Sequence, residues 1–227
     1  MKLLVEPTLD KGMMNPKQTR RWLFAALAWC FCIGMPADAW AEPYAVVQSI
    51  AAPDARGQWR PVTESAAAVQ IKDDKRIPLR VGMGLALGDR VVTEEARVTL
   101  GIGDAQVVGQ NRTETITVSA GGDITIKERS VLQRMGEVYY QVRDMFSVDY
   151  GTVQTAVEGT EFSIAGAQDG VKVAVTEGVV RVSNAGSSVR VKRGQELLVG
   201  SSAAPPAPSA MVRPALLAVQ KAAWSLG

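Results

Sequence analysis

Phe146–Val182 reads FSVDYGTVQTAVEGTEFSIAGAQDGVKVAVTEGVVRV. Large or β-branched side chains fall on alternate positions: Phe146 and Val148; Val153, Thr155 and Val157; Phe162 and Ile164; Val171, Val173 and Val175; Val180 and Val182. Period-two alternation predicts short strands with one buried face. Glu158-Gly159 and Glu177-Gly178 interrupt the runs, and Asp169-Gly170 reads as a hairpin turn. Glycine at such corners takes backbone angles that other residues avoid.

The pattern continues on both sides. Downstream lie Val189, Val191, Leu197 and Val199. Upstream, Ala45–Ile50, Ala67–Lys72, Ile77–Val81, Arg90–Thr93, Arg97–Ile102, Thr113–Val118, Ile124–Ile126 and Glu137–Arg143 read as further strands, with Pro53–Glu64 as a polar excursion. Turn signals recur every 8 to 12 residues, the spacing of an all-β sandwich, barrel or solenoid. No amphipathic helix of useful length stands between Tyr44 and Val199. The expected fold is all-β: many short strands in a twisted sandwich or solenoid-like domain.

The 227 residues contain no histidine, which removes Ser-His-Asp and Cys-His catalysis and His-ligated metal sites. Both cysteines, Cys30 and Cys32, lie in an apolar run near the N-terminus. That run, Trp22–Met35, follows Lys17, Arg20 and Arg21 and precedes Ala39-Trp40-Ala41. Basic residues, a short apolar stretch and an A-x-A site form a secretory signal. Residues 1–41 are therefore expected to be cleaved after Ala41, with translation starting at Met1, Met13 or Met14. A lipoprotein box at Leu27–Cys30 is the rival reading. After cleavage at Ala41 the exported chain is predicted to be periplasmic or secreted and to carry no transmembrane segment.

Processing would remove five basic and three acidic residues from a total of 25 and 23. The remainder holds 20 of each, so no net basic charge points to nucleic acid. Residues 42–84 read as the first strands of the body and 85–199 as its main part. After them, 201–210 (SSAAPPAPSA) reads as a proline-stiffened linker. Val212–Leu226 can form one short amphipathic helix.

Three blocks resemble the FecR domain of bacterial signalling and envelope proteins. Leu85–Thr93 (LALGDRVVT) is similar to that family's L-x-x-G-D-x-V-x-T opening, and Ala96–Leu100 to the strand after it. Val153–Phe162 (VQTAVEGTEF) is similar to A-V-R-G-T-E-F, with Glu158 where arginine is usual. Val173–Val182 (VAVTEGVVRV) is similar to V-x-V-x-E-G-x-V-x-V, and Gly194-Gln195 to the family's G-x-G-Q close. Ile102–Gln106 only approximates the family's P-D-G-S block. The resemblance implies a secreted or periplasmic, non-catalytic β module used in interaction or signalling. It does not carry over a sigma-factor pathway, because longer regulators of the family add segments that these blocks do not include.

The motif residues Gly88, Asp89, Thr93, Glu158, Gly159, Thr160, Glu161, Phe162, Glu177 and Gly178 are expected to form structural corners. At Glu161 the carboxylate would accept backbone N–H groups across its turn or pair with Arg143 or Arg181. Paired carboxylates also serve glycoside hydrolysis. Glu158 and Glu161, however, share one turn of strand-rich sequence. Asp144 with Asp149, and Asp73 with Asp74, read as solvated turn residues. The alternating ligand series of a calcium loop is missing around Asp169. No catalytic residue, cofactor or metal is assigned. Tyr139 and Tyr140 are adjacent, so a regular strand turns one of them outward; with Tyr150 and Trp59 they are candidate surface contacts. The leading expectation is an envelope module that binds an unidentified protein, and the alternative is a carbohydrate- or wall-binding module.

Overall fold

A computed structural model describes residues 43–103, 114–200 and 204–211. The signal segment, the lipoprotein box, the start of the linker and the C-terminal helix expected from the sequence lie outside the described residues, as do the last residues of the Ile102–Gln106 block.

Every described element is a strand. In chain order these are β1 (Ala45–Pro53), β2 (Trp59–Val62), β3 (Glu64–Lys72), β4 (Lys75–Arg80), β5 (Gly84–Leu85), β6 (Arg90–Thr93), β7 (Arg97–Ile102), β8 (Glu114–Val118), β9 (Asp123–Lys127) and β10 (Ser130–Met135). They continue with β11 (Glu137–Val142), β12 (Phe146–Tyr150), β13 (Val153–Val157), β14 (Thr160–Ala167), β15 (Gly170–Glu177), β16 (Val179–Asn184), β17 (Ser187–Lys192), β18 (Gln195–Val199) and β19 (Ser209–Ala210).

The strands form two sheets. Sheet A runs β19-β18-β15-β14-β11-β8-β7-β1-β2, with β5 also on β1; sheet B runs β17-β16-β13-β12-β10-β9-β6-β3-β4. Both orders step back along the chain together, because the chain lays a hairpin in one sheet and then crosses to the other. Hairpin β12–β13 belongs to sheet B, β14–β15 to sheet A, β16–β17 to sheet B, and β18 returns to sheet A. Strand β11 crosses alone. Its single pass reverses the chain once, so β12 returns beside β10 in parallel, while the other strand pairs are antiparallel.

The alternating residues meet between the sheets. Val98, Leu100, Ile116, Val138, Tyr140, Phe162, Ile164, Val173 and Val175 from sheet A face Val91, Ile124, Ile126, Val131, Val148, Val180 and Val182 from sheet B. Valine and isoleucine dominate because their branched side chains fit a pleated surface. Each full burial of such a side chain contributes about 1.5–3 kcal/mol. The largest block is aromatic: Tyr140 stacks on Phe162 at 4.9 Å and meets Phe146 at 6.1 Å.

Four elements differ from the sequence reading, one of them the two-residue β5 paired to β1, which no expected strand covers. Strand β2 lies inside the expected polar excursion; it is a sheet edge, where Pro61 is tolerated because one side needs no N–H. Strand β10 has no counterpart among the expected strands, because Gln133 puts a polar side chain at an inward position. The expected linker ends as β19, paired through Gln195↔Ala210 and Glu196↔Ser209. The Met211 N–H extends this pairing by bonding the Gly194 carbonyl at 3.0 Å.

Candidate functional site

The tetrad Glu158-Gly159-Thr160-Glu161 carries the chain from β13 in sheet B to β14 in sheet A, and Glu177-Gly178 carries it back from β15 to β16. Because β14 and β15 are antiparallel neighbours, the two corners lie side by side. A Cβ on Gly178 would stand 2.5 Å from Thr160 Cγ2 and 2.8 Å from the Gly159 carbonyl oxygen. Both glycines have positive φ, 62° and 82°. These corners therefore require glycine for backbone angle, and Gly178 for space as well. Arg193 N–H bonds the Gly178 carbonyl at 3.1 Å and brings the next crossing to the same end.

Glu161 lies within β14 rather than on the turn, facing away from the core beside Tyr139 and Gln141. Its Oε2 accepts the Tyr139 hydroxyl at 3.0 Å and its Oε1 accepts Gln141 Nε2 at 3.1 Å. Side chains of β11 thus supply two of its donors. Arg181, an expected partner, is in sheet B opposite Ala156 and Arg190. Glu158 is exposed at the corner, whereas Thr160 and Phe162 point inward and are buried. The Thr160 hydroxyl is buried without a hydrogen-bond partner. Gln141, Arg143, Gly159, Glu161 and Glu177 line a shallow polar hollow of about 360 Å³ over these corners.

A different device holds the first block. Asp89 is buried and accepts Gln70 Nε2 and the Ala86 N–H, the latter at 2.8 Å. Thr93 Oγ1 donates to the Ser119 carbonyl and accepts the Gly122 N–H at 2.9 Å. Gly88 stands at the corner between β5 and β6, its N–H on the Ile126 carbonyl at 2.8 Å. Here buried side chains tie the crossing down.

Among the candidate surface aromatics, Tyr139 and Tyr140 are corrected. Tyr140 is fully buried, its hydroxyl donating to Gln133 Oε1 at 2.9 Å. Tyr139 does face outward, yet only 3% of it is exposed, because Thr117, Ser163 and Glu161 surround its ring and hydroxyl. Burial first, and the Glu161 charge second, push its hydroxyl far above the usual tyrosine range. Tyr150 is partly buried against the core. Trp59 is exposed, at 42%, with the Arg97 guanidinium 4.7 Å from its ring centre.

Sequence reasoning missed Gln133. It is fully buried in β10 of sheet B, and its Nε2 donates to the carbonyls of Gly136 at 3.0 Å and Ile164 at 3.1 Å. With Tyr140 it forms a polar tie between the sheets. The one signal was its place in the Val131-x-Gln133 alternation.

The chain matches no protein-family model and no curated protein. Among solved structures it is similar to crystal structures of a candidate anti-sigma factor from Parabacteroides distasonis. One shows 19% identity over 48% of this chain and 57% of that chain, with a TM-score of 0.40. Another shows 20% identity over 44% and 52%, with a TM-score of 0.37. The likeness thus spans about half the length of either solved chain.

Proposed function

We propose that the chain is an exported, non-catalytic FecR-like β module that binds a protein partner in the bacterial envelope and serves signalling or assembly there. The carrying observation is the fate of the motif carboxylates. Glu161 is held by Tyr139 and Gln141, and Asp89 by Gln70 and Ala86. Groups occupied in holding strands together act as pins, which suits a rigid surface that a partner recognises. The motif blocks resembling the family supply the corners of that surface.

Affinity capture from envelope extracts, run beside binding to peptidoglycan and soluble glycans, tests the reading. A protein captured by the full chain and competed off by excess free chain supports it. Saturable saccharide binding with no protein captured would overturn it in favour of a wall-binding module.

A further inference from the structure

The outward cations of sheet B fall into two groups. In one half Arg90 and Arg134 reach Asp123, Lys127 reaches Asp149 and Arg76 reaches Glu94, while Lys72 and Lys75 at the β3–β4 turn make no ion pair among the described residues. At the other end Arg181, Arg190 and Lys192 are exposed and, among the described residues, make no ion pair. Arg181 and Arg190 also stand directly opposite each other across β16–β17. Like charges in that position oppose pairing of the strands. Exposed Val179 lies opposite Lys192 on the same face.

These cations border the β17 edge of sheet B, which no other strand covers among the described residues. Strand β17 is the last in its order and pairs with β16 over six residues without a register shift. The other edges are blunted: β4 carries Pro78 and a shifted register, β2 has four residues including Pro61, and β19 has two. The Ala185-Gly186 turn makes Asn184↔Ser187 the bonded pair of a two-residue hairpin, so bonding alternates from there. The backbone groups of Ser188 and Arg190 therefore point away from β16. Lys192 N–H, next in that series, is already held by Gln195 Oε1 at 2.9 Å.

We infer that the β17 edge and the Arg181, Arg190 and Lys192 side chains form a docking site for an extended acidic segment of a partner protein. The segment adds to the edge at Ser188 and Arg190, as in strand-addition complexes. Its alternate side chains then fall on the outward face, about 7 Å apart, which matches the step from Arg190 to Lys192. Carboxylates at those positions would relieve the arginine–arginine repulsion, and guanidinium groups suit planar, two-point contact with them. This site rests on the interaction-module reading and names its surface and partner chemistry.

Fluorescence anisotropy of the full chain with a labelled eight-residue peptide of alternating glutamate and valine tests the site. A peptide with serine for glutamate, one with N-methylated ladder amides, and phosphatidylglycerol vesicles are compared with it. The glutamate peptide should bind at least tenfold more tightly than the other two peptides, and high salt should weaken it. Arg190→Glu gives Arg181 an opposite charge across the strand. It should lower peptide affinity at least tenfold while the melting temperature holds or rises. Equal binding of the glutamate and serine peptides would overturn the site and leave Arg190 and Lys192 as guards against aggregation. Tolerance of N-methylation would overturn strand addition. Vesicle binding that Arg190→Glu abolishes, with the peptide ignored, would overturn the protein partner and assign the patch to lipid. A partner captured through another face would sink this site while leaving the interaction module standing.

Discussion

Two corners of this molecule do the same job by different means. At Gly159 and Gly178 the crossing between sheets depends on backbone meeting backbone, with no room for a Cβ at Gly178. At Asp89 and Thr93 it depends on buried side chains that satisfy backbone N–H groups. The first kind has no tolerance for added atoms and the second has none for lost ones. The difference shows that Gly159, Gly178, Asp89 and Thr93 meet shape and hydrogen-bond requirements of a two-sheet winding.

The strongest way to break the comparison is Gly178→Ala. The new methyl must displace Thr160 Cγ2 and the Gly159 carbonyl at an already strained φ, so roughly 3 kcal/mol or more should be lost. Gly186→Ala, at a similar φ of 74° but in open space, should cost only about 1–2 kcal/mol. Equal losses in urea denaturation would show that strain alone, and not the stacked corner, sets the requirement.

Next is Asp89→Ala, which leaves Gln70 Nε2 and the Ala86 N–H without their acceptor. A loss of about 2 kcal/mol is expected. A change below about 0.5 kcal/mol would remove the side-chain-pinned corner from the account.

Glu161→Ala should be milder, lowering stability by about 1–2 kcal/mol, since Gln141, one of its two partners, is only half-buried and can turn to water. An unchanged thermal midpoint would show that the glycines of the tetrad matter and its glutamate does not.

The smallest effect is expected at Glu137, which follows the Gly136 corner. Burial raises its pKa, and the opposing charges of Lys172 and Arg97 do not fully offset this. A carboxyl whose folded pKa lies above its unfolded value binds protons more tightly when folded. It therefore costs stability at neutral pH, and that cost disappears as pH falls through the folded pKa toward the unfolded one. Glu137→Gln should be neutral to stabilising by under about 1 kcal/mol at pH 7, with the advantage shrinking toward pH 4. A variant less stable than the parent at pH 7 would refute the sign.

Much of the body was legible because alternation is a local property. Thr155, Val157, Phe162 and Ile164 announce which side is buried whatever they pair with. The misses have physical causes. Gln133 breaks the apolar pattern because its hydrogen bonds to Tyr140, Gly136 and Ile164 join residues remote in sequence. Tyr139 is hidden on an outward face because its cross-strand neighbours Thr117 and Ser163 let the ring lie against the sheet. Asp89 and Thr93 could be placed on a corner, but their partners Gln70 and Gly122 could not be read locally.

By itself the sequence determined the all-β class, the inward register of nearly every strand and the glycine punctuation, because side-chain alternation and positive φ act within a few residues. Only the tertiary structure decided which sheet each strand joins, the parallel return of β12 beside β10, and the stacking of Gly178 on Gly159. It also decided that Arg181 faces Arg190 while Arg90 faces Asp123. Those outcomes depend on which distant segments share a ladder, and the packing of the whole sandwich selects among pairings that local alternation leaves equivalent.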